Sequence, residues 1–147
     1  MIQAPKGRKI IFDTNVYIAA IRLGPTADIY QRLISTILRM YLSAVVVQEL
    51  YAGVLDVLGE RLVATFVSQT EKTGRIVIPA YRDWKEAGRI LGRINRQEPA
   101  QRTRIPRLVR DVLLALSALR IGATLCTFNR DDFRLISRYK KFALEVL

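Results

Sequence analysis

The sequence predicts an α/β domain with a mainly parallel central sheet of about five strands and helices on both faces. Three observations carry that expectation. Short, wholly apolar runs such as Ile10-Ile11-Phe12 read as strands covered on both faces. Those runs alternate with stretches whose apolar residues recur at helical spacing, the order that builds parallel sheets. The chain has 147 residues, half of them hydrophobic, which fits one domain, 1–147, around one core.

The first strand is expected over 8–12, ending at Asp13. Ile29, Leu33, Ile34, Ile37 and Leu38 mark a helix within about 26–39. A second strand is expected over 42–46, running into a helix over about 47–58, with another helix over about 60–71. Gly74 breaks that helix, and Arg75-Ile76-Val77-Ile78 is the third strand, stopped by Pro79. Trp84, Ala87, Ile90, Leu91 and Ile94 give a helix over about 81–96. The stretch 97–105 is polar and basic, without apolar periodicity, and reads as a loop. Pro106 suits the first turn of a helix reaching about Arg120 and closed by Gly122. The fourth strand is expected over 123–127, a short helix over 131–137 and a last strand over 142–146.

Composition narrows the function. Twenty-four Lys and Arg against thirteen Asp and Glu give a formal charge of +11, which favours a polyanionic partner, nucleic acid first and an acidic protein next. The chain has no histidine and one cysteine. Imidazole-based catalysis and His- or Cys-rich zinc sites are thereby excluded. Cys126 has no partner for an internal disulfide and fits a reducing cytoplasm; it is expected to be buried and inert. No apolar run is long enough for a bilayer, and Asp13 interrupts the one near the N-terminus, so neither membrane insertion nor export is expected.

Ligands of parallel sheets bind beyond the carboxyl ends of the strands. Asp13 follows strand one directly, and Asn129 comes two residues after strand four. Glu49 is expected in the first turn of the helix leaving strand two. Asp111 is expected near the start of a helix that runs back across the sheet into strand four, so its N-terminus also lies at the carboxyl edge. Singly, each has a plain structural reading. Asp13 can cap a helix beginning near Asn15, and Glu49 can be an exposed helical acid. Asp111 can pair with Arg107 or Arg110, and Asn129 and Asp132 can cap a turn. Together they put three carboxylates at one place, where they repel unless a positive charge lies between them. Oxygen donors without imidazole or thiolate favour Mg²⁺ or Mn²⁺. Such ions activate water and stabilise in-line displacement at phosphorus, so a basic surface beside them points to phosphodiester hydrolysis.

Three segments resemble the PIN-domain ribonucleases, and within them the VapC-type toxins of prokaryotic toxin–antitoxin pairs. They are Ile11-Phe12-Asp13-Thr14-Asn15-Val16, the stretch from Leu42 through Glu49-Leu50-Tyr51-Ala52-Gly53, and Asp111-Val112-Leu113-Leu114-Ala115 onward to Thr127-Phe128-Asn129-Arg130-Asp131-Asp132-Phe133. The resemblance implies a PIN-like nuclease domain whose Asp13, Glu49 and Asp111 hold the metal, with Thr14 and Asn15 positioning water or phosphate. At the fourth acidic position many members carry aspartate where Asn129 stands here. Others have this asparagine and an aspartate just before the phenylalanine, so Asp132 is assigned a water-mediated or second-metal role, with the adjacent Asp131 as its alternative. The resemblance further implies an RNA substrate, a cognate antitoxin protein and a homodimer.

Arg93, Arg96, Arg102, Arg104, Arg107 and Arg110 approach Asp111 with only Glu98 as an acid among them. Arg102, Arg104, Arg107 and Arg110 are the candidates for phosphate contact. Trp84 is expected in the core or a dimer interface. A noncatalytic RNA-binding module with the same fold is the main alternative. A phospho-accepting regulator lacks an aspartate at Ile78-Pro79-Ala80, and a haloacid-dehalogenase-type phosphatase would need one where Asn15 stands. Neither accounts for Glu49.

Overall fold

The computed structural model describes residues 7–147, so the first six residues of the expected 1–147 domain lie outside the described residues. Five strands, β1 (Ile10–Phe12), β2 (Met40–Ser43), β3 (Ile76–Val77), β4 (Thr124–Thr127) and β5 (Ala143–Val146), form one sheet in the order β3-β2-β1-β4-β5. Every pairing is parallel. Ile10 sits opposite both Met40 and Thr124, which fixes the register at the centre. The chain winds outward from β1 through β2 to β3, then crosses back to β4 and on to β5. With right-handed crossovers, the reversal puts the helices of the two halves on opposite faces. It also opens a crevice beyond the ends of β1 and β4, the neighbours at which the winding reverses.

The helices are α1 (Thr14–Leu23), α2 (Asp28–Ser35), α3 (Ala44–Gly53), α4 (Val57–Lys72), α5 (Tyr81–Gln97), α6 (Ile105–Ile121) and α7 (Arg130–Ser137). Gly24, at φ 83°, ends α1, and Pro25 follows, so the chain turns before α2 begins. Strand two ends earlier than the sequence suggests. Ser43 caps α3 by accepting from the Val45 backbone at 3.2 Å, and the β-branched run Val45-Val46-Val47 is helical. Val46 and Leu50, one turn apart, bury that face in the core, which outweighs the strand preference of valine. Glu49 is therefore in the second turn of α3, not the first, and Asp111 is likewise in the second turn of α6. The expected loop at 97–105 is instead largely a 3-10 turn, Pro99–Arg104. Pro99 opens it, and Glu98 pins its base by accepting from the Arg138 guanidinium and the Tyr139 hydroxyl, both at 2.5 Å.

Ile11, Phe12, Leu125 and Cys126 are fully buried at the sheet centre beneath Val112, Leu113 and Phe133. Replacing Phe12 by alanine removes an aromatic ring from this layer, a change that costs about 3–5 kcal/mol in comparable cores. Cys126 is buried as expected, and burial pushes its thiol up to about 12, with the neighbouring Glu145 carboxylate adding to it, which disfavours the reactive thiolate. Trp84 is 55 % exposed and is not a core residue.

Tyr17 is the odd member of this core. Its ring packs edge-on against Phe12 and Phe66, yet its hydroxyl is buried with no hydrogen-bond partner among the described residues. An unpaired buried hydroxyl costs on the order of 1–3 kcal/mol. Tyr17→Phe is expected to raise stability by about 1 kcal/mol in urea denaturation. A loss of stability would mean that the hydroxyl finds a partner in solution.

Candidate metal centre

Asp13 leaves β1 at its carboxyl end and caps α1, accepting from the Thr14 backbone N–H at 2.7 Å. Its second oxygen accepts from the Thr127 hydroxyl at 2.7 Å and the Asn15 amide at 3.2 Å. The capping reading of Asp13 and its placement in the crevice are thus both correct. Thr127 ends β4 and joins the two central strands. Its oxygen also accepts from the Asn129 backbone N–H at 2.9 Å. Sequence reasoning assigns no role to Thr127; a hydroxyl residue at the last position of a central strand is the signal that could have found it.

A cleft of about 260 Å³ opens at this edge, lined by Asp13, Thr14, Asn15, Ile18, Glu49, Arg107, Arg110, Asp111, Asn129 and Asp132. All four proposed acids, Thr14 and Asn129 are therefore brought together from separate segments of the chain. Asp131 is exposed, whereas its neighbour Asp132 is buried and lines the cleft. Asn129 caps α7 and also donates its amide to Asp132 at 2.9 Å. Of the arginines, Arg107 and Arg110 line the cleft. Arg102 is exposed and donates to the Asn95 carbonyl, and Arg104 bonds Asp132 and Gln101.

The electrostatics divide the acids into two kinds. Burial, reinforced by the charges of Asp13, Asp132 and Glu49 and opposed only by Arg110, pushes the Asp111 pKa up to about 7. Asp13 is raised by burial against the hydrogen bonds from Thr127 and Thr14. Glu49 is raised by burial although Arg110 stands 3.6 Å away. Among the described residues, neither Asp13 nor Asp111 has a cationic side chain within 4.0 Å. The ion pair that was the plain structural alternative for Asp111 does not form; Arg107 and Arg110 turn to Asp132 and Glu49 instead. For Asp132, burial is outweighed by the hydrogen bonds from Asn129 and Arg104 and the charges of Arg104 and Arg107, which hold it below the usual carboxylate range.

Among the described residues no three acidic or thiol side chains close into a ready-made cation cage. The donor chemistry nevertheless fits a hard cation. The cleft offers carboxylate, amide and hydroxyl oxygens, and among the described residues two of its carboxylates have no cationic side chain within 4.0 Å. The buried Thr14 side chain lies beside Glu49 and eases its charge, and its hydroxyl has no hydrogen-bond partner within 3.5 Å among the described residues.

In all-parallel α/β domains ligands bind in the crevice beyond the carboxyl ends of the strands at the switch point, which is where these carboxylates gather. The PIN domain family model matches residues 10–139, and the chain belongs to that family. Solved structures share the fold at low identity. A chain of the DNA-bound VapBC from Salmonella typhimurium matches at 22 % identity and TM-score 0.67, covering 95 % of this chain and 98 % of that one. A chain of VapBC2 from Rickettsia felis, bound to a fragment of its promoter DNA, matches at 20 % and 0.60, covering 94 % and 98 %. A chain of FitAcB from Neisseria gonorrhoeae matches at 23 % and 0.59, covering 92 % and 95 %. No curated protein sequence matches significantly.

Proposed function

We propose that the chain is a metal-dependent endoribonuclease, using Mg²⁺ or Mn²⁺ to hydrolyse RNA phosphodiesters, and the toxin of a toxin–antitoxin pair. The observation that carries this reading is the placing of Asp13 and Asp111, with no ion-pair partner among the described residues, in a cleft rimmed by arginines. PIN domains are in general nucleases. A divalent cation held by Asp13, Glu49 and Asp111 would supply an activated water and charge stabilisation for in-line displacement at phosphorus.

The chain's own residues do the positioning. Thr127, Asn15 and the Thr14 backbone fix the Asp13 carboxylate, so it needs no reorganisation when the cleft fills. Asp111 and Glu49 complete the acidic wall. Thr14 and Asn15, which line the cleft, position a water or a phosphate oxygen, and Arg107 and Arg110 at the rim meet the flanking phosphates. Purified protein should cleave single-stranded RNA with Mg²⁺ or Mn²⁺, lose that activity in chelator and regain it on metal return. RNA binding without cleavage under every metal condition would support the noncatalytic alternative instead.

The structural neighbours are VapBC and FitAB complexes, and a cognate antitoxin partner is part of this reading. Among the described residues no helix is long and apolar enough to cross a membrane. Exposed Leu55, Val57 and Leu58 stand beside an apolar cleft lined by Ile18, Ile21, Leu50 and Val63, a surface that suits a protein partner. The homodimer has its own candidate face. Exposed Ile78 and Trp84 flank a cleft of about 320 Å³ with Val45, Val109 and Leu113. Sedimentation should give a dimer at micromolar concentration and a monomer for Trp84→Glu; a monomeric wild type would remove the dimer and leave the chemistry unaffected.

A further inference from the structure

Asp132 is the acid of the cleft whose bonding is already complete. One carboxylate oxygen forms a tight ion pair with the Arg104 guanidinium and lies 3.7 Å from that of Arg107. The other accepts from the Asn129 amide at 2.9 Å. Arg104 is held in turn, for its second terminal nitrogen donates to the Gln101 side chain at 2.5 Å. Its side chain is only 25 % exposed, and the 3-10 turn carrying it is pinned through Glu98.

The other acids differ. Asp111 makes no side-chain hydrogen bond or ion pair among the described residues, and Glu49 has a single partner, Arg110, at 3.6 Å. Arg110 is 52 % exposed, so its hold on Glu49 is weak and water can replace it. Two-cation sites place their ions about 3.5–4 Å apart, each needing carboxylate oxygens of its own. Arg104 and Asn129 each occupy one Asp132 oxygen, and the fixed guanidinium repels a second cation beside it.

We propose, on the reading of this cleft as a cation site, that it takes one divalent cation at Asp13, Glu49 and Asp111, and that Arg104, seated on Asp132, stands in the place of a second. Asp132 is then a positioning residue for Arg104. The arginine brings one fixed positive charge beside Asp132, its two terminal nitrogens held by Gln101 and Asp132, where a second ion would otherwise be neutralised by that acid.

The test is Mn²⁺ binding to the whole chain without RNA, read by electron paramagnetic resonance of free Mn²⁺ for both affinity and stoichiometry. The wild type should bind one equivalent. Arg104→Gln frees Asp132 and should gain a second equivalent, while Arg102→Gln, which loses the same charge away from the acids, should stay at one. The double variant Arg104→Gln/Asp132→Asn removes the pair without changing net charge. It should return to one equivalent, with affinity within about threefold of wild type, since the coupling lies in that pair. Two equivalents in the wild type, an Arg104→Gln result equal to that of Arg102→Gln, or a large loss of affinity in the double variant would each overturn the proposal. If the double variant does not fold, the two single arginine variants decide. Asp111→Asn separates this from the underlying reading: Mn²⁺ binding retained there would sink the cation site itself, whereas binding lost there with two equivalents in the wild type would sink only the role of Arg104.

Discussion

Asp111→Asn should abolish RNA cleavage and leave a folded chain that is more stable than the wild type above pH 7. Removing one charged group from a preorganised site commonly costs about a hundredfold or more in rate, and Asp111 is the acid with no other structural task. The stability gain follows from linkage. In the folded chain Asp111 titrates near 7, because burial and three neighbouring acids disfavour its charge, against 3.8 as its ordinary value. The folded state therefore keeps a proton that the unfolded state has released. Stability from this group is full below about pH 4 and is lost as pH rises toward 7, at up to about 1.4 kcal/mol per pH unit. Asparagine has the shape without the titration. Urea denaturation at several pH values should show the advantage of the variant growing from pH 4 to 7 and then levelling. Asp13→Asn should also abolish cleavage, but without that gain: the carboxylate accepts from Thr14, Asn15 and Thr127, and an amide cannot accept from all of them. Full cleavage by either variant, with metal present, would end the metal-site reading.

Arg107→Gln combined with Arg110→Gln should weaken RNA binding and flatten its salt dependence, by about 0.7 in logarithmic slope for each phosphate that is no longer neutralised. Both line the cleft and both are more than half exposed, so neither replacement disturbs the core. At saturating RNA the rate should fall much less than the affinity, because the acids remain in place. Arg102→Gln should change little, since that side chain lies outside the cleft lining and donates to the Asn95 carbonyl. An unchanged salt slope in the double variant would assign these arginines to a protein partner. A collapsed rate at saturation would place one of them at the reacting phosphate.

Much of the fold is legible in the order of residues. Wholly apolar strand runs and the helical spacing between them predict a mainly parallel five-stranded sheet, and all five strands are parallel. The boundaries at β2 and α3 are not legible, because Val45-Val46-Val47 prefers a strand locally and is overruled by Ser43 capping and core burial. The 3-10 turn is hidden for a related reason. Its apolar periodicity is absent, and Glu98 pins it from residues forty positions away.

The site divides in the same way. By itself the sequence determined which acids meet, because strand ends and the direction of a crossover helix place Asp13, Glu49, Asp111 and the segment 129–132 at one edge whatever the side-chain details. Only the tertiary structure decided how those acids differ. Local sequence cannot say that Arg107 and Arg110 turn from Asp111 to Asp132 and Glu49, that Arg104 closes on Asp132, or that Thr127 orients Asp13 from another strand. Those choices rest on distances between residues far apart in the chain. Charge interactions fall off with distance and change with burial, so the same acids in the same order become a free pair and two paired ones only once the domain is packed.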